Sequence, residues 1–376
     1  MTAALAIVGL YDELASGVVV VAAPGIEDAQ SLGHAGYALW VFALPVLLAT
    51  AIETPLALLS DRAGRRRVLR LALFVLAVAL GVSALADRPW LLGLGLGLAG
   101  AASGVACASA QGELVSVFGG NADRAMTRWT TFAAAGDVLA PLLVGAVLLC
   151  GGTYRGGLLA VAALLLVQVL VTRPSETLSE PEPVEAHESW RQALGQPRLW
   201  ALLLVAELCS LLDEIAVALA ALRMTRDLGA SEALTAASLT AFALGSLAGA
   251  AATDALVQKL SARPVLIIAT GASMAALALV LVVRTPLEAL GALALLGASA
   301  APHFALIQAA AYEAVPGRPG LVNAAAQVFF AVEIALPLLA GLVAARYGLD
   351  VALACLALQP ASVLVAAVTL LDRKRS

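Results

Sequence analysis

The chain has 376 residues, of which 61% are hydrophobic and only 13% charged. Soluble globular domains carry about 25% charged residues, so composition excludes that class and leaves a polytopic membrane protein. The formal net charge of −4 is small, and no basic patch interleaved with aromatics points to nucleic acid.

A bilayer-spanning helix needs about 20 mostly apolar residues. Twelve runs qualify, at about 3–23, 36–59, 68–86, 90–117, 129–150, 156–172, 199–222, 232–254, 264–283, 286–312, 322–345 and 349–371. Pro24, Pro89, Pro174, Pro264 and Pro286 stand at their boundaries, where the missing N–H of proline is tolerated. The N-terminus lacks the basic start of a secretory signal, and Asp12 and Glu13 interrupt any signal-like core, so the first run reads as a retained helix. The four cysteines fall in apolar runs without CxxC spacing and read as small buried residues, not as metal ligands or disulfides.

Between the sixth and seventh runs the composition changes. Residues 173–198 are acidic, proline-rich and hydrophilic, the pattern of a disordered linker, with a short interfacial helix expected at Trp190–Leu194. The predicted organisation is an N-terminal six-helix bundle at 1–172, a linker at 173–198 and a C-terminal six-helix bundle at 199–376. Placing both termini in the cytoplasm puts 16 of the 22 Lys and Arg residues on that side, as the positive-inside rule requires.

Acids interrupt the apolar runs. Asp12-Glu13 and Asp213-Glu214 sit near the middle of the first and seventh, and Glu53, Glu113, Asp137, Glu207 and Glu333 lie within others. A carboxylate at the centre of a spanning helix costs on the order of 3 kcal/mol. These groups must therefore meet a wet cavity, take up protons or bind cations. Few cations offset them: Arg128 and Arg223 near helix ends, and His303 in the tenth run.

The halves repeat. Asp137, Pro141 and Gly145 match Glu333, Pro337 and Gly341 at an offset of 196. The pairs Asp12-Glu13 and Asp213-Glu214 match at 201, and Asp61 matches Asp254 at 193. Duplicated six-helix halves are a transporter signature, with the binding site between them near the midplane. The two acid pairs are therefore expected to face one cavity. Consecutive helical residues point about 100° apart, so one acid of each pair faces the cavity and the other a neighbouring helix. Desolvation and a like-charged neighbour both raise a carboxylate's pKa, the property a proton-coupling group needs.

Ser60-Asp61-Arg62-Ala63-Gly64-Arg65-Arg66-Arg67 follows the second run. At this place in a six-plus-six chain it resembles the Asp-Arg-x-Gly-Arg-Arg signature of the major facilitator superfamily. The resemblance implies an all-α membrane fold of twelve transmembrane helices in two pseudo-symmetric bundles. It also implies a cytoplasmic gate formed by Asp61, Arg62, Gly64, Arg65 and Arg66. Physically, Gly64 permits a tight turn and Asp61 suits the positive end of a helix. The second-half copy keeps Asp254 but has lost the basic run. The fifth run carries a diluted form of the glycine-proline stretch of proton-linked exporters, and the fourth run holds no arginine inside it.

Together these features predict a proton-coupled secondary transporter, not an enzyme, working by alternating access and exporting a cationic or zwitterionic small molecule. Asp12, Glu13, Asp213 and Glu214 are the expected coupling residues. Asp137, Glu333, Glu113, His303 and Gln327 are the expected cavity-lining residues. No cofactor or bound metal is expected, and the partners are a small solute, protons and the lipid bilayer of a bacterial inner membrane, with the protein a monomer. Two alternatives remain open from the residues: a divalent-metal carrier using the same carboxylates, and a sensor or lipid-handling protein on the same scaffold.

Overall fold

The computed structural model describes residues 2–172 and 194–371, without the side chains of residues 34, 35, 54, 57–63, 330 and 333. Most of the expected linker and interfacial helix therefore lies outside the described residues. Every regular element among the described residues is a helix. All twelve expected runs are helical, and ten of them are helices long and apolar enough to cross a membrane, such as Thr2–Val21, Pro89–Val117 and Glu232–Leu256. Pro89 and Pro286 occupy the first turns of their helices, where a missing N–H costs nothing.

The other two spans depart from the sequence reading, which expects single helices over 36–59 and 199–222. The second span begins as His34–Tyr37, passes through a π-helical turn at Ala38–Ala43 and continues as Leu44–Ala63. The seventh runs as Pro197–Glu207, a π-helical turn at Leu211–Ile215 and Ala216–Arg226. Such interruptions survive in hydrocarbon only where protein groups satisfy the freed backbone. In the seventh span the Leu212 N–H does not follow the helical ladder. It donates instead to the Gln359 side-chain carbonyl at 2.7 Å.

The chain forms two compact units. The first comprises Met1–Gly120, Ala135–Ala186 and Gly317–Gln327; the second comprises Asn121–Ala134, His187–Pro316 and Val328–Ser376. The fifth and eleventh spans are thus divided, each giving its opening segment to the unit built mainly from the other sequence half.

In the first unit the fourth span packs against the first, second and third. Its glycines permit this. A Cβ on Gly97 would stand 2.9 Å from Leu48 Cβ, and one on Gly93 only 2.7 Å from the Trp40 carbonyl oxygen. Small residues bring membrane helices together in this way because lipid supplies no hydrophobic drive for helix association. In the second unit the eighth and tenth spans cross on Gly245, Gly249 and Gly297, each set against a backbone carbonyl of the facing helix.

The end of the ninth span is held by a buried arginine. Arg223 donates to the carbonyl oxygens of Val280, Leu281 and Val283, with the Leu281 bond at 2.9 Å. Its Nε lies 3.0 Å from an Asp350 carboxylate oxygen. The last carbonyls of a helix lack partners within it, and here one guanidinium serves three of them.

Candidate functional site

The first acid pair sits on an unbroken helix, Thr2–Val21, and its two members part as the 100° step demands. Asp12 turns to the fourth span, where its carboxylate accepts a hydrogen bond from Ser103 and another from Cys107. Glu13 lies against the fifth span: a Cβ on Gly136 would stand 2.8 Å from Glu13 Cβ. Gly17 and Ala140 make the same close crossing one turn along.

Glu53 joins this group from the second span. Its carboxylate occupies the space that a Cβ on Gly104 would fill, and it lies with Asp12 and Glu13 in the electrostatic neighbourhood of Cys107. The fourth span therefore presents Ser103, Gly104 and Cys107 to carboxylates from two other spans. From sequence, Glu53 reads as an intramembrane acid and Cys107 as apolar packing, and Ser103 has no part in that pattern. The legible signal was a pair of small polar residues four apart, flanking a glycine, on one helix.

The second pair stands differently. Asp213 and Glu214 lie within the π-helical turn and are both exposed, whereas Asp12 and Glu13 are half-buried. Glu207 and Asp213 both lie near Cys209. Among the described residues, no group of three His, Cys, Asp or Glu side chains is placed to hold a metal ion.

The expected cavity-lining residues scatter. Asp137 is exposed on the fifth span, which continues as helix through Pro141. Gln327 is half-buried in a 3-10 turn at Gln327–Phe329 within the eleventh span. The side chain of Glu333 lies outside the described residues. His303 is completely enclosed, 0% exposed, among the helices of the second unit. Glu113 pairs with Arg66 at 2.6 Å, which places it beside the basic loop after the second span.

At that loop, Gly64 has φ 86° and closes the turn between Leu44–Ala63 and Arg65–Leu85, a conformation that glycine adopts without steric cost. Arg65 donates to the Gly317 carbonyl at 2.6 Å and to Ser116 Oγ at 3.3 Å. The side chains of Asp61 and Arg62 lie outside the described residues. The eleventh span's opening helix, Pro319–Ala326, packs against the second and fourth spans in this unit.

In the second unit Asp254, the counterpart of Asp61, finds its arginine elsewhere in the chain. Arg128, from the opening of the fifth span, bonds it at 3.0 Å and lies over the Phe132 ring. The lost basic run is replaced by one arginine from the other sequence half. The side chains of the Arg66–Glu113 pair are 17% and 14% exposed, against 42% and 13% for Arg128–Asp254. Ion pairs weaken with solvent contact. Glu113→Gln is therefore expected to lower the unfolding midpoint of the purified protein more than Asp254→Asn, which costs about 1 kcal/mol or less. Thermal unfolding of both variants side by side checks the order, and the reverse order contradicts it.

The sequence matches the Major Facilitator Superfamily over residues 5–213 and 203–376. No curated protein matches it. Among solved structures, the Major Facilitator Superfamily transporter FucP in its outward conformation superposes with a TM-score of 0.81 at 14% identity, covering 99% of this chain and 98% of that one. A structure of the E. coli fucose:proton symporter FucP superposes with a TM-score of 0.79 at 15% identity, with the same coverage. At these identities the likeness is one of fold. The family match, which spans nearly the whole chain, the duplicated halves and the loop built on Gly64 together make this chain a member of the major facilitator superfamily, a transporter and not an enzyme.

Proposed function

We propose that the protein is a proton-coupled secondary transporter that works by alternating access and exports a cationic or zwitterionic small molecule. The observation that carries this reading is Asp12 held inside the membrane span by Ser103 and Cys107, with Glu53 against Gly104 of the same helix and Glu13 on the next face of the first span. Carboxylates in a membrane interior stay ionised only at a cost. Uptake of a proton or arrival of a cationic solute lowers that cost, and competition between the two is the basis of coupling. The fucose:proton symporter of the same fold is named for moving protons with its solute, which supports the choice of coupling ion. The partial exporter-like stretch in the fifth span supports the direction.

The distribution of Lys and Arg supports both termini on the cytoplasmic side; a bacterial inner membrane and a monomeric working unit belong to the same proposal. The two-bundle division at 1–172 and 199–376, joined by 173–198, remains the proposed order of the chain. Asp61 to Arg66 are proposed as a gate on the cytoplasmic side, with Arg65 and Arg66 already engaged by Gly317, Ser116 and Glu113.

The test is transport by the purified protein in proteoliposomes under an imposed pH gradient, with organic cations such as tetraphenylphosphonium, zwitterionic amino acids and divalent metal ions as probes. Movement of an organic cation or zwitterion that reverses with the gradient is expected. Movement of divalent metals alone replaces this reading with the metal-carrier alternative.

A further inference from the structure

A buried polar chain in the second unit leads to the Asp213-Glu214 pair. Within the seventh span the helical ladder fails between Glu207 and Leu211. Cys209 N–H reaches back three residues to Ala206, and Leu211 N–H reaches three residues to Leu208. Leu212 N–H bonds to no backbone carbonyl of its own span; it donates to Gln359 Oε1 at 2.7 Å. Gln359 is 0% exposed on the twelfth span. Its amide nitrogen stands 3.1 Å from His303 Nδ1. The other ring nitrogen of His303 faces Ser273 Oγ at 3.5 Å and the backbone of Ala269 on the ninth span.

The donor and acceptor roles along this chain are fixed by its first member. A backbone N–H only donates, so the Gln359 oxygen must face it and the Gln359 nitrogen must face His303. Nδ1 of His303 is then the acceptor, and the ring proton resides on Nε2, toward the ninth span. Every group has one role, and the roles agree. A buried network satisfied in this way rigidifies what it holds.

What it holds is the π-helical turn Leu211–Ile215, which contains both acids. A π-turn sets residues on either side of it out of helical register, and such turns cluster at functional sites. If the Leu212 N–H had no partner, the turn's best alternative would be to close into regular α-helix and bond to Leu208. That would rotate Asp213 and Glu214 to new faces. The first pair has no such device, because Thr2–Val21 is continuous helix and Asp12 is held directly by Ser103.

We propose that Gln359 and His303 are positioning residues for the Asp213-Glu214 pair, holding the π-turn open through the Leu212 N–H so that the two acids keep the orientation used in coupling. This rests on the coupling role proposed above for the pair. The other titratable groups on helices packed against Pro302–Ala314 are Arg198 and Glu207 on the seventh span, Glu232 and Asp254 on the eighth and Arg263 on the ninth. The ring nitrogens of His303 find their polar partners in Gln359, Ser273 and Ala269.

The experiment uses the full-length protein purified in detergent, with hydrogen exchange read by mass spectrometry and carboxyl protonation read by infrared titration. Gln359→Leu removes the acceptor. The amides of residues 211–216 are expected to change their exchange by about 10-fold or more, the local effect of losing a buried hydrogen bond. The infrared carboxyl band that Asp213→Asn abolishes is expected to shift its pH midpoint. Gln359→Glu is expected to restore both readouts: buried and protonated, the introduced acid accepts from Leu212 with its carbonyl and donates to Nδ1 with its hydroxyl. His303→Leu is expected to act in the same direction as Gln359→Leu.

Unchanged exchange at 211–216 in Gln359→Leu overturns the proposal. So does a change spread evenly over the second unit, because that marks a general packing role. A parent protein in which the Asp213 band does not titrate, with exchange still altered locally by Gln359→Leu, sinks the coupling reading and leaves the positioning of the turn supported.

Discussion

Transport driven by a pH gradient falls by on the order of 100-fold or more, the usual contribution of a positioned proton-transfer group, when Asp12 and Asp213 are both replaced by asparagine. An asparagine at position 12 still offers an oxygen to Ser103, and at the exposed position 213 it replaces an ionisable group on the π-turn with a neutral one of the same size. Size and hydrogen-bonding capacity are kept, so the loss reports the ionisable proton and not a damaged fold. Solute binding without a gradient is expected to persist at a reduced level. The assay is proteoliposome transport with the gradient imposed and then collapsed; gradient-dependent transport at the parent rate in the double variant contradicts the coupling assignment.

Arg223→Met has the largest expected effect on stability, a loss of about 3 kcal/mol. The methionine fills part of the space but leaves the carbonyls of Val280, Leu281 and Val283 without their donor. Unsatisfied buried carbonyls cost about 1–3 kcal/mol each, and relaxation at the helix end recovers part of that. Asp350 gives the contrast. Its side chain is 63% exposed while that of Arg223 is 5% exposed, so Asp350→Asn removes only a screened interaction, costing about 1 kcal/mol or less. Thermal unfolding in detergent separates the two variants. Equal destabilisation by both would mean that the ion pair, not the carbonyl clamp, holds the end of the ninth span.

Much of the fold was legible because the bilayer makes its demand locally. Each span must be apolar over its own length, so the runs, their proline boundaries and the duplicated landmarks could be read without tertiary information. The loop at Gly64 was legible for a similar reason, since a tight turn between two helices needs a residue that tolerates positive φ. The interruptions were not. Leu211-Leu212-Asp213-Glu214-Ile215 holds neither glycine nor proline, and its π-turn is stabilised by Gln359, a residue 147 positions away.

The candidate site divides along the same line. Intramembrane acids announce themselves by cost, whereas their neighbours do not. Ser103 and Cys107 are ordinary residues in a small-residue helix until the first span is laid against them. The three cations singled out as possible counter-charges each went to a distant partner: Arg128 to Asp254, Arg223 to Asp350 and the ninth-span carbonyls, and His303 to Gln359. Pairing at such separations depends on how spans cross, which hydropathy does not record.

The division of the fifth and eleventh spans bears on how such a protein could have arisen. Residues 317–327 complete the unit built from the first half, and residues 121–134 complete the unit built from the second. A six-span ancestor with this arrangement would lack part of its own packing as a lone chain. It would gain that part from a second copy in return for lending the same segment, the reciprocal exchange of a swapped dimer. Fusion of two copies then turns an assembly step that depends on concentration into folding within one chain. After fusion the two halves can diverge, one keeping its arginines beside the loop and the other relying on Arg128.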